Sequence, residues 1–170
     1  MTKLIVSADI HGSLNAWLTI RALAGGSDEL AIAGDLFDTR YGSYSRPDFK
    51  PEAIRSDLKT LPQPLYYVYG NCDIPSFSPG FGPDMRFSFL HKKIYLHHGH
   101  RPLPDQVVSD IVIQGHTHLC YLEKKDGIIY FNPGSIASPR NGLATYGVID
   151  SKGIYLMVLK TGEVLSSITF

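Results

Sequence analysis

Seven residues of this chain carry side chains suited to divalent cations: Asp9, His11, Asp35, Asn71, His98, His116 and His118. Carboxylate, imidazole and amide oxygen together suit Mn, Zn or Fe, and suit neither calcium nor a structural thiolate zinc. Seven donors are too many for one tetrahedral site. They suffice for two metals if one carboxylate is shared, and a pair of cations about 3.5–4 Å apart is a common device for phosphate hydrolysis. A lone histidine is more often a satisfied polar residue than a ligand. Here the joint spacing of His11, His98, His116 and His118 reverses that expectation, while His91 and His97 stay in the ordinary class.

The elements that must position these residues are legible beside them. Leu4-Ile5-Val6-Ser7-Ala8 leads to Asp9 and His11, Leu30-Ala31-Ile32-Ala33 to Gly34-Asp35, and Leu65-Tyr66-Tyr67-Val68-Tyr69 to Gly70-Asn71. Ile94-Tyr95-Leu96 leads to His97-His98-Gly99-His100, and Ile111-Val112-Ile113-Gln114 to Gly115-His116-Thr117-His118. Short apolar runs bounded by glycine read as buried strands. Residues 13–23 and 51–61 read as helices, the second with Pro51 at its first position. Strands alternating with helices give an α/β core, and such sheets bind ligands beyond the carboxyl ends of their strands. Gly12, Gly34, Gly70, Gly99 and Gly115 fall where the chain must turn tightly or approach a ligand. In the last third, residues 127–132, 145–150, 154–160 and 164–170 read as strands joined by hairpin turns. They suggest a second, mostly antiparallel sheet, and hence a four-layer αββα sandwich of two mixed β-sheets flanked by helices.

The bulk numbers bound the function. The 170 residues fit one domain spanning 1–170. With 16 basic and 16 acidic residues the formal net charge is zero, so no electrostatic case exists for long nucleic acid or a membrane surface. A phosphate site must then find positive charge locally. Cys72 and Cys120 make no disulfide framework, which points to a reducing, cytoplasmic setting. The apolar N-terminus is too short for a signal-peptide core, and no stretch reaches the roughly 18 apolar residues of a membrane span.

In order, D-x-H, G-D, G-N, H-G-H and G-H-x-H resemble the calcineurin-like metallophosphoesterase family. The likeness runs from Asp9 to Asn132-Pro133-Gly134-Ser135, and the small size and Gly70-Asn71-Cys72-Asp73 are most similar to its YfcE-type phosphodiesterase branch. The resemblance implies that Asp9, His11 and His118 hold one metal, that Asn71, His98 and His116 hold a second, and that Asp35 bridges them. It implies two divalent ions, Mn²⁺ ahead of Zn²⁺, Ni²⁺ or Fe²⁺. The reaction implied is hydrolysis of a small phosphate ester, diester before monoester, by a hydroxide shared between the metals. A short nucleotide is among the candidate substrates, and exposed strands of the second sheet suit a homodimer or higher homo-oligomer.

One departure concerns the leaving group. Many relatives carry histidine after Gly-Asn as the proton donor; here Cys72 stands there, and a thiol of ordinary pKa near 8.5 is a poorer acid at neutral pH than imidazole. Weaker intrinsic activity or a preference for good leaving groups is expected, with His100 or Arg140 as substitutes. Cys72 as a small buried residue without chemistry is the plainer alternative. Asp38 and Asp73 read as turn or capping residues and at most as supports of the ligands. Cys120 reads as a strand residue. Tyr41, Tyr44 and Phe49, in the loop of residues 39–51, either line a substrate pocket or anchor that loop. The rival function is a metal-binding scaffold on the same fold, as in the family's retromer subunit. The complete ligand set favours catalysis.

Overall fold

The computed structural model describes residues 2–170. The chain runs through β1 (Leu4–Ser7), α1 (Leu14–Leu23), β2 (Glu29–Ile32), α2 (Pro51–Leu58) and β3 (Leu65–Tyr67). After a short 3₁₀ turn at Pro75–Phe77 come β4 (Asp84–Phe89), β5 (Lys92–His97), β6 (Ile111–Ile113), β7 (Tyr121–Lys125) and β8 (Ile128–Asn132). It ends with β9 (Thr145–Ile149), β10 (Gly153–Val158) and β11 (Val164–Thr169).

Two mixed sheets form. The first has the order β11-β10-β9-β1-β2-β3 and the second β4-β5-β6-β8-β7. In the first, β1, β2 and β3 are parallel and β9 runs antiparallel to β1. In the second, β5, β6 and β8 are parallel, with antiparallel β4 and β7 at the edges. The two mixed sheets of the expected sandwich are therefore present, with helices on the first sheet alone among the described residues, and the C-terminal strands do not make a sheet of their own. β7 and β8 complete the second sheet, while β9, β10 and β11 extend the first through the Leu4–Ile149 register. Hairpin turns specify that neighbouring strands pair; they do not specify which older strand receives them.

Strand periodicity divides the apolar residues between two layers. Leu4, Val6, Ala31 and Ala33 face Ile94, Leu96, Ile111, Ile113 and Phe131 across the sandwich, all at most 1 % exposed. Ile5, Leu30 and Ile32 face outward beneath Trp17, Ile20 and Ile54 of the helices. Fully burying a side chain of this class contributes about 1.5–3 kcal/mol. Ser13 caps α1, its Oγ accepting from the Ala16 N–H at 3.1 Å. Pro51 opens α2 as expected, and α2 stops at Leu58, three residues early, where the backbone tightens into three-residue turns, Lys59 N to Ser56 O at 3.3 Å and Thr60 N to Asp57 O at 3.1 Å. The helices are joined by the Trp17 Nε1–H donating to Asp57 Oδ2 at 2.7 Å.

Both helices lie on the first sheet. On the outer face of the second, Tyr95 and His97 share a small pocket with Pro102 and Pro104 of an irregular segment, residues 99–110, whose prolines lack the N–H a helix needs.

Candidate metal centre

The five expected clusters sit just past the C-terminal ends of β1, β2, β3, β5 and β6, and strands of both sheets deliver them to one edge of the sandwich. The first two turns are tied together by backbone bonds, Asp9 N to Gly34 O at 3.1 Å, His11 N to Asp35 O at 2.8 Å and Gly12 N to Leu36 O at 2.9 Å. The β5 and β6 turns are joined by Gly115 N to His98 O at 3.0 Å. Asp9, His11, Asp35, His116 and His118 all adopt left-handed backbone, with φ of 53°, 49°, 50°, 70° and 58°. Non-glycine residues seldom do so, and such strain concentrates at functional sites. Gly70 has a different reason to be glycine: a Cβ there would overlap Asp35 Oδ1.

Two groups of ligand atoms result. Asp9, His11 and His118 form one, with His118 Nε2 3.4 Å and His11 Nε2 3.8 Å from Asp9 Oδ1, and 3.2 Å between the two imidazole nitrogens. Asp35, His98 and Asp9 form the other; His98 Nε2 lies 3.2 Å from Asp35 Oδ2 and 3.1 Å from Asn71 Oδ1. Asp35 Oδ2 is also 3.9 Å from His11 Nε2, so Asp35 reaches both groups, as does Asp9. His116 flanks the second group, its ring centroid 5.1 Å from that of His98, and its backbone N–H donates to Asp9 Oδ2 at 2.9 Å.

The imidazoles are held from behind. The Ala33 carbonyl accepts from His98 Nδ1–H at 2.8 Å, the Ser138 carbonyl from His118 Nδ1–H at 2.7 Å, and the Asp38 carboxylate from His11 Nδ1–H at 3.3 Å. A carbonyl can only accept, so His98 and His118 carry a proton on Nδ1, and each ring, when neutral, turns its Nε2 lone pair toward the centre. Outer partners of this kind fix tautomer and orientation in metal sites. Lone pairs then face lone pairs, Nε2 against Nε2 and Nε2 against carboxylate, and the buried Asp9 Oδ1 has no hydrogen-bond partner. An arrangement of acceptors without donors between them fits cations.

The electrostatics separate the two carboxylates. Burial pushes Asp9 up to about 7, against the pull of His98 and His11. Burial acts upward on Asp35 too, but His98, when it carries a second proton on Nε2 in the place a cation would take, and the Cys72 N–H, 2.7 Å from Oδ1, outweigh it and hold Asp35 down at about 2. For His116 and His118 burial dominates and lowers the pKa, with the Arg140 guanidinium adding to the effect. For His11 and His98 burial is overcome by Asp38 and Asp35, and the pKa rises.

The remaining candidates fall into place around this centre. Cys72 is buried beside Asp35, and burial pushes its thiol far up, so the plain reading of a small buried residue fits better than that of a proton donor. Its Sγ nonetheless lies within 4.8 Å of ligand atoms of His11 and Asp38. His100 is near His98, ring centroids 5.3 Å apart, and its Nδ1 is buried without a partner. His97 points away and stacks on Tyr95, centroids 5.3 Å apart; His91 lies in the β4–β5 turn. Cys120 stands just ahead of β7 rather than in it. Phe49 anchors its loop: it is buried against Gly12 and carries Tyr44 edge-on at 5.1 Å, while Tyr41 and Tyr44 are exposed.

Sequence reasoning undervalued the supports. Asp73 is 2 % exposed and accepts from the Phe37 N–H at 2.9 Å, the Gly70 N–H at 3.0 Å and the Tyr67 hydroxyl at 2.7 Å, with the Leu36 and Asp38 N–H groups at 3.3 Å. It thereby ties the turn after Asp35 to the turn bearing Asn71. Ser135 Oγ donates to the Asp9 carbonyl at 2.7 Å, and Asn132 Nδ2 to the Gly115 carbonyl at 2.9 Å, which gives the Asn132-Pro133-Gly134-Ser135 segment its purpose. Beside Asn71 and His100 opens a cleft of about 400 Å³ lined also by Arg40, Tyr69, Asp73, Pro75, Pro83 and Arg101.

The chain is similar to known proteins along most of its length. The chain is 28 % identical to the phosphodiesterase YfcE of Escherichia coli over 99 % of its own length and 98 % of that protein's. The solved structure of E. coli YfcE, a phosphoesterase, superposes with a TM-score of 0.82, each chain covered to 98 %. A probable metallophosphoesterase of Mycoplasma pneumoniae is 30 % identical, with 83 % of each chain covered. Vps29 of Entamoeba histolytica, solved with zinc, shares the fold at a TM-score of 0.67 and 22 % identity, with 98 % of each chain covered. A family model described as the calcineurin-like phosphoesterase superfamily domain matches residues 1–153, and the chain belongs to that superfamily.

Proposed function

We propose that this chain, acting as one domain, is a metal-dependent phosphodiesterase that hydrolyses a small phosphate ester at a pair of divalent cations. The observation carrying the reading is the meeting of imidazole Nε2 atoms and carboxylate oxygens which, with the rings neutral and the carboxylates ionised, have no donor between them. Asp9, His11 and His118 would hold one cation, and Asn71, His98 and His116 the other, with Asp35 shared. The mixed nitrogen and oxygen donors suit Mn²⁺ first, and Zn²⁺, Ni²⁺ or Fe²⁺ next. Two such cations would lower the pKa of a bound water and neutralise phosphoryl oxygens, supplying the local positive charge that a neutral protein lacks.

The chain's own residues do the rest. Asp35 stays ionised, and the Cys72 N–H fixes one of its oxygens. The Ala33 and Ser138 carbonyls keep the Nδ1 protons of His98 and His118 in place, so both rings remain ligands. Asn71 offers its amide oxygen beside His98. On the cleft side His100 is the group we assign to hand a proton to the leaving oxygen, since the buried thiol of Cys72 is a poor donor. We also assign to Arg140, whose charge is felt at His116 and His118, the role of meeting a phosphoryl oxygen. The free thiols Cys72 and Cys120 suit a reducing, cytoplasmic setting. Among the described residues no helix is long and apolar enough to cross a membrane. The bare outer strand β11 offers a site for homodimer pairing.

The test is hydrolysis of bis-p-nitrophenyl phosphate and p-nitrophenyl phosphate by metal-stripped protein, with and without Mn²⁺ or Zn²⁺, beside Asp35→Asn. Metal-dependent turnover of the diester, lost in the variant, is expected. Metal uptake without turnover of either ester would refute catalysis and leave a scaffold on the fold shared with Vps29.

A further inference from the structure

The cleft beside the metal centre has a composition that the hydrolytic reaction does not require. Arg40 and Arg101 stand on its walls, and its one acidic lining residue, Asp73, directs both carboxylate oxygens into backbone N–H groups and the Tyr67 hydroxyl. Among the described residues no carboxylate lies within ion-pair distance of either guanidinium. Arg40 is held over the Asn71 turn: its backbone N–H donates to the Cys72 carbonyl at 2.9 Å and its Nε–H to the Asn71 carbonyl at 3.1 Å. Both ties leave its two terminal amino groups for a ligand. The ring of Tyr69, whose hydroxyl is taken by the Ser78 carbonyl at 2.8 Å, supplies apolar wall with Pro75 and Pro83.

Position gives these charges a meaning. Asn71 and His100 line the cleft and also border the metal centre, so a diester whose phosphorus sits at the centre extends one arm past them toward Arg40 and Arg101. A volume of about 400 Å³ admits an arm of several heavy atoms. Guanidinium groups bind planar or tetrahedral oxyanions through paired N–H donors, and two of them without counter-charge in a concave site favour an anion there. The protein's zero net charge means that this preference is local to the cleft. Resting on the phosphodiesterase reading above, we propose that Arg40 and Arg101 bind a second anionic group of the substrate, so that the preferred diester carries a further phosphate on the arm leaving past Asn71 and His100.

Two methyl phosphodiesters test this, one with ethanol and one with ethylene glycol monophosphate as the leaving alcohol. Release of methyl phosphate, read by phosphorus-31 NMR, reports cleavage of the cleft-side bond in both. The monophosphate-bearing ester is expected to have a kcat/KM about tenfold or more higher, the effect of one charge-assisted hydrogen bond. That ratio should fall toward one in Arg101→Ala and in Arg40→Ala. A ratio near one in the wild type, or a high ratio that survives both substitutions, overturns the proposal while leaving the phosphodiesterase reading intact. Failure of bis-p-nitrophenyl phosphate to turn over strikes that reading instead. The cleft is then read by calorimetry with ethylene glycol bisphosphate: weaker binding to the double variant supports it, and equal affinity overturns it.

Discussion

Replacing Asp73 by asparagine isolates one support of the site. The side chain keeps Oδ1 as acceptor for the Phe37 and Asp38 N–H groups but sets an NH₂ where Oδ2 met the Gly70 and Leu36 N–H groups and the Tyr67 hydroxyl. The hydroxyl can rotate and accept; the two backbone donors cannot. Each buried N–H left without an acceptor costs about 1–3 kcal/mol, so Asp73→Asn should lose about 4 kcal/mol. For a domain of this size, at about 2–4 °C per kcal/mol, the melting temperature should drop by about 8–16 °C. Tyr67→Phe removes only one donor from Oδ2 and should cost about 1–2 kcal/mol. Because Asp73 joins the Asp35 turn to the Asn71 turn, Mn²⁺ affinity should also fall, by about 10–100-fold, as when partners behind metal ligands are removed. Thermal unfolding in chelator and Mn²⁺ calorimetry read the two effects separately. A melting temperature within about 2 °C of wild type, with unchanged Mn²⁺ affinity, would refute the role given to this carboxylate.

Three further outcomes follow from the same geometry. Asp38→Asn, which weakens the acceptor behind His11 Nδ1, should lower Mn²⁺ or Zn²⁺ affinity about 10–100-fold in a calorimetric titration. Gly70→Ala drives a methyl into Asp35 Oδ1 and should cost both metal binding and more than about 1 kcal/mol of stability, seen in denaturant melts. In metal-stripped protein Asp9 has a pKa raised from 3.8 to about 7, so the fold binds this proton more tightly than the unfolded chain does. Stability from this group is present below pH 3.8 and is lost as pH rises toward 7; metal uptake near neutral pH should release a proton and weaken on acidification. Urea melts across pH 5–8 with and without Mn²⁺ check the sign: with chelator the slope is downward, and with saturating metal it is reversed.

Much of this architecture could be read from residue order because each ligand cluster follows a short apolar run and a strand's carboxyl end is where such clusters gather. The strands ahead of the ligand clusters and α1 fell where periodicity placed them, while α2 ended three residues short. β7 was passed over: Tyr121-Leu122-Glu123-Lys124-Lys125 has little apolar character, and only its pairing with β8 makes it a strand. β4 alternates Met85, Phe87 and Phe89 with polar residues, a pattern plain once β5 is beside it. The sheet that receives β9, β10 and β11 depends on a register between Leu4 and Ile149, a contact no local signal encodes. In the site, ligand types and spacing singled out seven candidate donors, which the fold brings to one edge of the sandwich. Asp38 and Asp73 resemble ordinary turn formers because their partners, His11 and the Leu36–Phe37 backbone, lie 27 to 37 residues away. Arg40 drew no attention in the sequence, and only folding brings it to Asn71.

The left-handed backbone at Asp9, His11, Asp35, His116 and His118 has a bearing on how this protein would evolve in a laboratory. Each such residue costs of the order of 1 kcal/mol, the low end of the range, because Asp and His tolerate this region better than most side chains. The sum over these positions is comparable with the net stability of a typical domain. A selection for heat resistance in chelator would therefore favour glycine or asparagine at these very positions, and its most stable winners would be the ones least able to hold a metal.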